Sequence, residues 1–142
     1  SEKPLGMRIS ASDWDDAGWT IDDSVIFARK LKQLGCDFVD CSSGGNSPNR
    51  PPVGPGFPGY QLPFSEQVRN ESDIPTVAVG MLRDYHLAEE AISNGKADLI
   101  ALGRGMLFDS RWAWHAAHEL GGKASYPNQY ARSEPEKWPK AF

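Results

Sequence analysis

The stretch Asp98-Leu99-Ile100-Ala101-Leu102-Gly103-Arg104-Gly105 decides the fold. A short apolar run ends in Gly-Arg-Gly, and Asp109 and Ser110 then lead into Trp112, Ala113, Ala116, Ala117 and Leu120 at helical spacing. The pattern predicts a buried strand, a glycine turn, and a helix capped by Ser110. Glycines let a backbone approach a ligand closely, and the exposed N–H groups of a helix start attract an anion. Arg104 adds a planar cationic fork that suits a phosphate. A plain strand-to-helix turn with a surface arginine carries the same signature, so the neighbouring units must decide between the two.

Upstream, the same grammar repeats. Residues 75–79 form an apolar run that stops at Gly80, and Asp84 then caps a helix carrying Leu87, Ala88, Ala91 and Ile92 up to Asn94-Gly95. Residues 36–41 predict another strand, which runs into Ser42-Ser43-Gly44-Gly45-Asn46 and a long loop holding Pro48, Pro51, Pro52, Pro55 and Pro58. A short helix over 62–71 follows, packed through Phe64 and Val68. Nearest the N-terminus, Leu5, Met7 and Ile9 alternate as a strand with Arg8 on its opposite face. Thr20-Ile21-Asp22-Asp23 is a capping-box signal for a helix bearing Val25, Ala28, Leu31 and Leu34, with Gly35 as its stop. Residues 123–142 form a polar tail interrupted by prolines, and are not expected to be helical throughout.

Strands alternating with helices imply right-handed crossovers and a parallel sheet, hence an α/β fold. In every unit the glycines and small polar residues follow the strand: Ser10 to Asp13, Ser42 to Gly45, Gly80, and Gly103 to Gly105. They therefore gather at the C-terminal ends of the strands, where such folds hold ligands. The G-x-G-x-x-G fingerprint of a doubly wound sheet is missing, which favours a barrel. A closed (β/α)8 barrel takes about 250 residues, and the four predicted strands here amount to half of one.

Composition narrows the function classes. A formal net charge of −4 with no run of Lys or Arg speaks against a nucleic-acid surface or a polybasic membrane anchor. No apolar stretch approaches the roughly 20 residues of a membrane span, and the first residues lack a signal-peptide pattern, so a cytoplasmic protein is expected. Cys36 and Cys41 have no C-x-x-C spacing and read as free, partly buried thiols. His115 and His118 stand at i, i+3 without a third ligand in step, so no metal site is expected. Asn70-Glu71-Ser72 matches the glycosylation sequon and is taken as a chance match.

With these residues in view, the chain resembles the Old Yellow Enzyme family of FMN-dependent ene-reductases, in its bacterial thermophilic-like branch. The resemblance is carried by Arg8-Ile9-Ser10-Ala11-Ser12-Asp13, Asp40-Cys41-Ser42-Ser43-Gly44, Phe57-Pro58-Gly59-Tyr60-Gln61, Ala88-Glu89-Glu90, Asn94-Gly95-Lys96-Ala97-Asp98-Leu99-Ile100, Gly103-Arg104 and Gln129-Tyr130-Ala131-Arg132, in that order and spacing. It implies a TIM barrel with FMN at its C-terminal face, of which this chain matches the C-terminal half. Residues 1–122 would belong to the flavin-binding barrel, and residues 123–142 to a tail that reaches a neighbouring subunit.

The resemblance also implies roles. Arg8 matches an arginine beside the N1/C2-oxygen edge of the flavin ring, where a cation stabilises the anionic reduced form; an arginine in a rim salt bridge is the plainer alternative. Gly103 and Arg104 match a phosphate-binding pair, and Gly80 and Met81 a second turn near the phosphate and the dimethylbenzene edge. Arg132 matches an arginine that enters the neighbouring subunit's active site to meet substrate, with a solvated tail residue as its alternative. No catalytic residue falls in this chain: the flavin-contacting cysteine, the glutamine, the carbonyl-binding His pair and the tyrosine proton donor of the family belong to its N-terminal portion. None of Tyr60, Tyr85, Tyr126 or Tyr130 sits in the donor motif.

The implied function is hydride transfer from NADH or NADPH through FMN to an enone or other activated alkene, within a homo-oligomer completed by the N-terminal half of the barrel. This chain alone is expected to be inactive. Two other readings remain: a non-catalytic half-barrel module or fragment that binds a phosphate or a partner chain, and a different phosphate-binding barrel enzyme such as a sugar-phosphate isomerase. The latter needs an acid/base carboxylate at a strand end, for which Asp40 is the candidate, although packing at a strand terminus also accounts for it.

Overall fold

The computed structural model describes residues 3–48 and 57–141. Most of the proline loop predicted after the second strand therefore lies outside the described residues. Four parallel strands, β1 (Gly6–Ser10), β2 (Phe38–Ser42), β3 (Thr76–Val79) and β4 (Leu99–Ala101), pair in chain order. The register sets Arg8 against Asp40, Ile9 against Cys41, Cys41 against Ala78, and Ala78 against Ile100. Helices α1 (Ile21–Gln33), α2 (Leu62–Ser72) and α3 (Tyr85–Ser93) connect them. Neighbouring parallel strands with helical crossovers are the repeating unit of a (β/α)8 barrel, and the chain has the fold of part of one.

The local signals explain the boundaries. Thr20 Oγ1 accepts the Asp23 N–H while the Asp23 carboxylate accepts the Thr20 N–H at 3.0 Å, a reciprocal cap that opens α1. The Thr20 hydroxyl, which donates to the Asp23 carboxylate at 2.7 Å, and the Thr20 N–H together hold that carboxyl below the usual carboxylate range. Asp84 accepts the Leu87 N–H at 2.8 Å and opens α3. Gly35, at φ 88°, closes the turn after α1.

All three helices pack on one face of the sheet. Ile9, Val39 and Cys41 meet Val25, Ala28 and Leu31 of α1 and Phe64 and Val68 of α2 in one core cluster. Leu62, Ala78, Leu82, Ala91 and Ala97 make a second. Strand alternation turns Gly6, Arg8, Ser10, Phe38, Asp40, Ser42, Val77, Val79, Leu99 and Ala101 toward the opposite face. None of α1, α2 and α3 packs against that face, and Leu99 on β4 is 57% exposed.

The N-terminal edge of the sheet is occupied by clamps rather than ligand-type groups. Arg69 Nε donates to both carboxylate oxygens of Asp98 at 3.1 Å, and Asp98 also accepts the Thr76 N–H at 2.9 Å. One carboxylate thereby ties α2 to β3 and the start of β4. Asp37 and Leu5 exchange two hydrogen bonds, each 2.7 Å, at the start of β1 and β2.

Beyond β4 the structure departs from the sequence reading. The strand is only three residues long, and a short helix α4 (Arg104–Phe108) begins directly at Arg104. Ser110 does not cap the last helix, α5 (Trp112–Glu119), whose N-cap is Arg111 without a side-chain bond. Asp109 takes that part instead, accepting the Arg111 N–H at 3.0 Å and meeting His115 Nδ1 at 2.8 Å. The expectation of a serine cap failed because the acidic residue one position earlier competes for the same turn. Three short 3₁₀ turns, Asn128–Ser133, Pro135–Lys137 and Pro139–Ala141, make up the rest of the tail.

The compact units divide between Gly105 and Met106. The second unit has its own aromatic cluster: Trp114 stacks against Tyr126 and Tyr130, with ring centroids 4.6 and 5.5 Å apart. The Arg111 guanidinium lies 4.5 Å from the Trp114 ring and 4.0 Å from that of Tyr130, which joins α5 to the first 3₁₀ turn.

Candidate functional site

The strands deliver their polar residues to one edge. After β1, Ser10 Oγ donates to the Gly44 carbonyl at 3.0 Å and the Gly44 N–H donates to Ser12 O at 2.8 Å, so the loops after β1 and β2 are laced together. After β2, Ser43 Oγ donates to Gln61 Oε1 at 2.6 Å, and Gln61 Nε2 donates to the Val79 carbonyl at 2.9 Å. Gln61 is 3% exposed. It bridges β2 and β3 at the start of α2, a role the sequence reading missed because a glutamine beside a proline loop has no distinctive spacing.

Gly80 and Met81 follow β3 in a tight left-handed turn, at φ 121° and 55°. A Cβ on Gly80 would stand 2.8 Å from Gln61 Nε2 and 3.1 Å from the Tyr60 ring. Gly80 is thus required by the protein's own packing. Met81 remains 41% exposed at the end of that turn.

Gly103 and Gly105 behave differently from the glycine turn expected of them. Neither has a positive φ, and a Cβ on Gly103 would meet nothing within 4 Å. A Cβ on Gly105 would find the stem of Arg83 at 3.8 Å, an ordinary contact. Backbone strain therefore does not explain these glycines; Gly103 leaves open space where β4 ends and Arg104 begins. Arg104 is exposed and makes no hydrogen bond or ion pair with the described residues.

Arg8 lies on the face of the sheet turned away from the helices, as its alternation with Met7 and Ile9 predicts. Its Nε donates to Ser42 Oγ at 3.3 Å, and Nη1 stands 3.6 Å from Asp40 Oδ2. Ser42 Oγ in turn donates to the Ile9 carbonyl at 2.9 Å. Two of the three guanidinium nitrogens are thus anchored to the next strand, and Nη2 has no partner among the described residues. The side chain is 60% exposed.

Asp40 is not at a strand terminus but in the middle of β2, directly opposite Arg8. Burial pushes its carboxyl above the usual range, and the Arg8 charge opposes that shift. The same burial, with the neighbouring Asp40 charge, pushes the Cys41 thiol up to about 12, so it is inert at neutral pH.

β1 and β4 are the outer strands among the described residues, so Arg8 on β1 and the strand that leads into Arg104 lie three strand spacings apart, roughly 14 Å across the sheet. A ligand that engages both must be long, with a phosphate at one end and a group able to carry negative charge at the other. FMN is a molecule of that constitution, and a guanidinium is a donor suited to either end.

Residues 1–122 match the model of the NADH:flavin oxidoreductase / NADH oxidase family. The chain belongs to that family. Over 129 residues it is 47% identical to the NADPH dehydrogenase of Geobacillus thermodenitrificans (strain NG80-2) and 45% identical to the NADPH dehydrogenase of Bacillus subtilis (strain 168). Each alignment covers 91% of this chain and 37% of the relative, so this member of the NADH:flavin oxidoreductase family spans little more than a third of the length of those relatives. Two solved structures share the fold at 19% identity: 2-naphthoyl-CoA reductase in complex with 2-naphthoyl-CoA, with a TM-score of 0.63 over 84% of this chain and 18% of that one, and histamine dehydrogenase from Rhizobium sp. 4-9, with 0.65 over 83% and 17%.

Other features of this family member lie apart from these residues. Among the described residues no group of three or more His, Cys, Asp or Glu side chains could hold a metal, and no helix is long and apolar enough to cross a membrane. His115 is paired with Asp109. A cleft of about 460 Å³ occurs within the second unit, lined by Ala117, Tyr126 and Glu134 among others, and none of the residues predicted for the site lines it. Arg132 sits in the first 3₁₀ turn of that unit.

Proposed function

We propose that this chain is the C-terminal part of an FMN-dependent NAD(P)H oxidoreductase that reduces activated alkenes such as enones. The observation that carries the reading is the placement of two guanidiniums, one anchored on the open sheet face and one beside open space after the last strand, within a chain of the NADH:flavin oxidoreductase family. FMN, when bound, supplies the two-electron relay between nicotinamide and alkene.

Each residue then has a task. Arg104, with the open backbone at Gly103, binds the phosphate by charge-assisted hydrogen bonds. The Gly80-Met81 turn forms the neighbouring wall. Arg8 turns its unspent Nη2 to the ring edge where negative charge gathers on reduction, and Ser42 holds its Nε in place. The complementary N-terminal portion of the barrel supplies the carbonyl-binding and proton-donating groups. Arg132 reaches a neighbouring subunit of a homo-oligomer. A cytoplasmic setting belongs to the same reading; the free thiols Cys36 and Cys41 suit a reducing compartment.

A sugar-phosphate isomerase is the weaker reading, because Asp40 is engaged with Arg8 and its other oxygen, Oδ1, is buried. Nor does it present a free carboxylate for acid/base work.

The test is FMN titration of the assembled protein with and without Arg104→Ala. Loss of a charge-assisted phosphate contact costs about 1.5–3 kcal/mol, so affinity should fall by roughly 10- to 150-fold. The rate of alkene reduction per retained flavin should change little. Unaltered affinity would remove Arg104 from the phosphate site.

A further inference from the structure

Asp40 is a charge the proposed function does not yet use. It is the residue paired with Arg8 across the β1–β2 ladder, and its partner on the other side, Val77 of β3, is apolar. One carboxylate oxygen faces the Arg8 guanidinium at 3.6 Å, and the other, Oδ1, is buried with no hydrogen-bond partner among the described residues. A carboxylate with an unsatisfied buried oxygen is costly to keep. Holding Arg8 does not require it, since Ser42 Oγ already fixes Nε and is itself fixed to the Ile9 carbonyl. What Asp40 adds, and Ser42 cannot, is a negative charge.

We propose that Asp40 is a counter-charge that acts through Arg8, offsetting part of the positive field that the guanidinium presents to its ligand. The inference rests on the reading that Arg8 faces the flavin ring. A lone arginine at that edge would favour the reduced, anionic ring strongly and make it slow to pass its electrons on. The Arg8–Asp40 pair presents a smaller net charge, so the ring is reduced and re-oxidised with neither direction trapped. The Asp40 carboxylate is only 18% exposed, so its field is less screened than that of a surface carboxylate.

The experiment is a redox titration of the flavin in the assembled, FMN-loaded protein, comparing the parent with Asp40→Asn, Asp40→Glu and Arg8→Gln. Asn keeps the shape and removes the charge. The midpoint potential should move to more positive values in Asp40→Asn, stay close to the parent in Asp40→Glu, and move to more negative values in Arg8→Gln. Flavin reduction by NADPH should speed up several-fold in Asp40→Asn while re-oxidation by alkene slows. A purely structural Asp40 would shift the potential downward, in the sense of Arg8→Gln, by misplacing the guanidinium. An unchanged or lowered potential in Asp40→Asn, with Arg8→Gln lowered as expected, overturns the counter-charge and leaves the flavin reading intact. An unchanged potential in Arg8→Gln with flavin still bound overturns both. Failure of both Asp40 variants to fold or load flavin would likewise overturn the proposal, by making Asp40 a structural residue.

Discussion

Two glycines that look alike in the sequence do unlike things. Gly80 sits at φ 121° with Gln61 pressed against it, whereas Gly103 has an ordinary φ and open space beside it. Gly80→Ala should therefore lose about 1–3 kcal/mol of stability from the backbone conformation alone, with the Gln61 contact adding to it. Gly103→Ala should stay within about 0.5 kcal/mol of the parent yet weaken FMN binding. Chemical denaturation of both variants alongside FMN titration checks the contrast. A second residue-scale test concerns Asp73, which closes α2 at φ 51° and pairs with Lys32 of α1 at 2.6 Å. Its bonds to Lys32 hold the carboxyl below its ordinary value. A depressed folded-state value means the stabilisation is complete above the unfolded value of about 3.9 and is lost as pH falls through the lower folded one. Asparagine tolerates the left-handed conformation, so Asp73→Asn isolates the charge. It should melt below the parent at pH 7 and together with it near pH 2. Being fully exposed, the difference should shrink in high salt.

At the scale of elements, caps and periodicity were legible where the chemistry is local. Asp84→Ala should cost about 1 kcal/mol, in the usual range for a lost N-cap, while Ser110→Ala should be near neutral because Asp109 satisfies that turn. Thermal denaturation of the pair separates a true cap from one that only resembles it in sequence. Alternation placed Arg8 opposite Ile9, and turn residues placed the loops that follow the strands, since both follow from a period of two and from backbone chemistry. The partners across strands were not legible. Asp40 meets Arg8 only because β1 and β2 pair in that register, and register depends on packing between segments some thirty residues apart. Gln61 escaped notice for the same reason: its two partners, Ser43 and the Val79 carbonyl, are each 18 residues away along the chain. The short helix α4 was hidden because no cap announces it; Arg104 simply continues from the turn after β4.

For the whole molecule, the decisive feature is a parallel sheet covered on one face. Parallel strands are normally buried on both faces, and here none of α1, α2 and α3 covers the face bearing Arg8, Asp40, Val79 and Leu99. Among the described residues β1 and β4 also each have one side without a strand partner, and unpaired edges template association with other chains. Closure of a (β/α)8 barrel cures both defects at once, because the added strands pair with the two edges while their side chains fill the interior against the open face. The same closure would complete the pocket around Arg8 and Arg104. Core and cofactor site should therefore form in a single step. Expressed alone, this chain should self-associate or fold only in part, bind FMN weakly and show no alkene reduction. Supplied with the N-terminal portion of a matching relative such as the Geobacillus thermodenitrificans NADPH dehydrogenase, it should gain solubility, flavin absorbance and NADPH-dependent alkene reduction together. Sedimentation, a visible spectrum and an enone-reduction assay on the same preparations read the three outcomes. Recovery of solubility without flavin would separate the core from the site and contradict a shared closure, and alkene reduction by the chain free of any other polypeptide would show that it needs no complement.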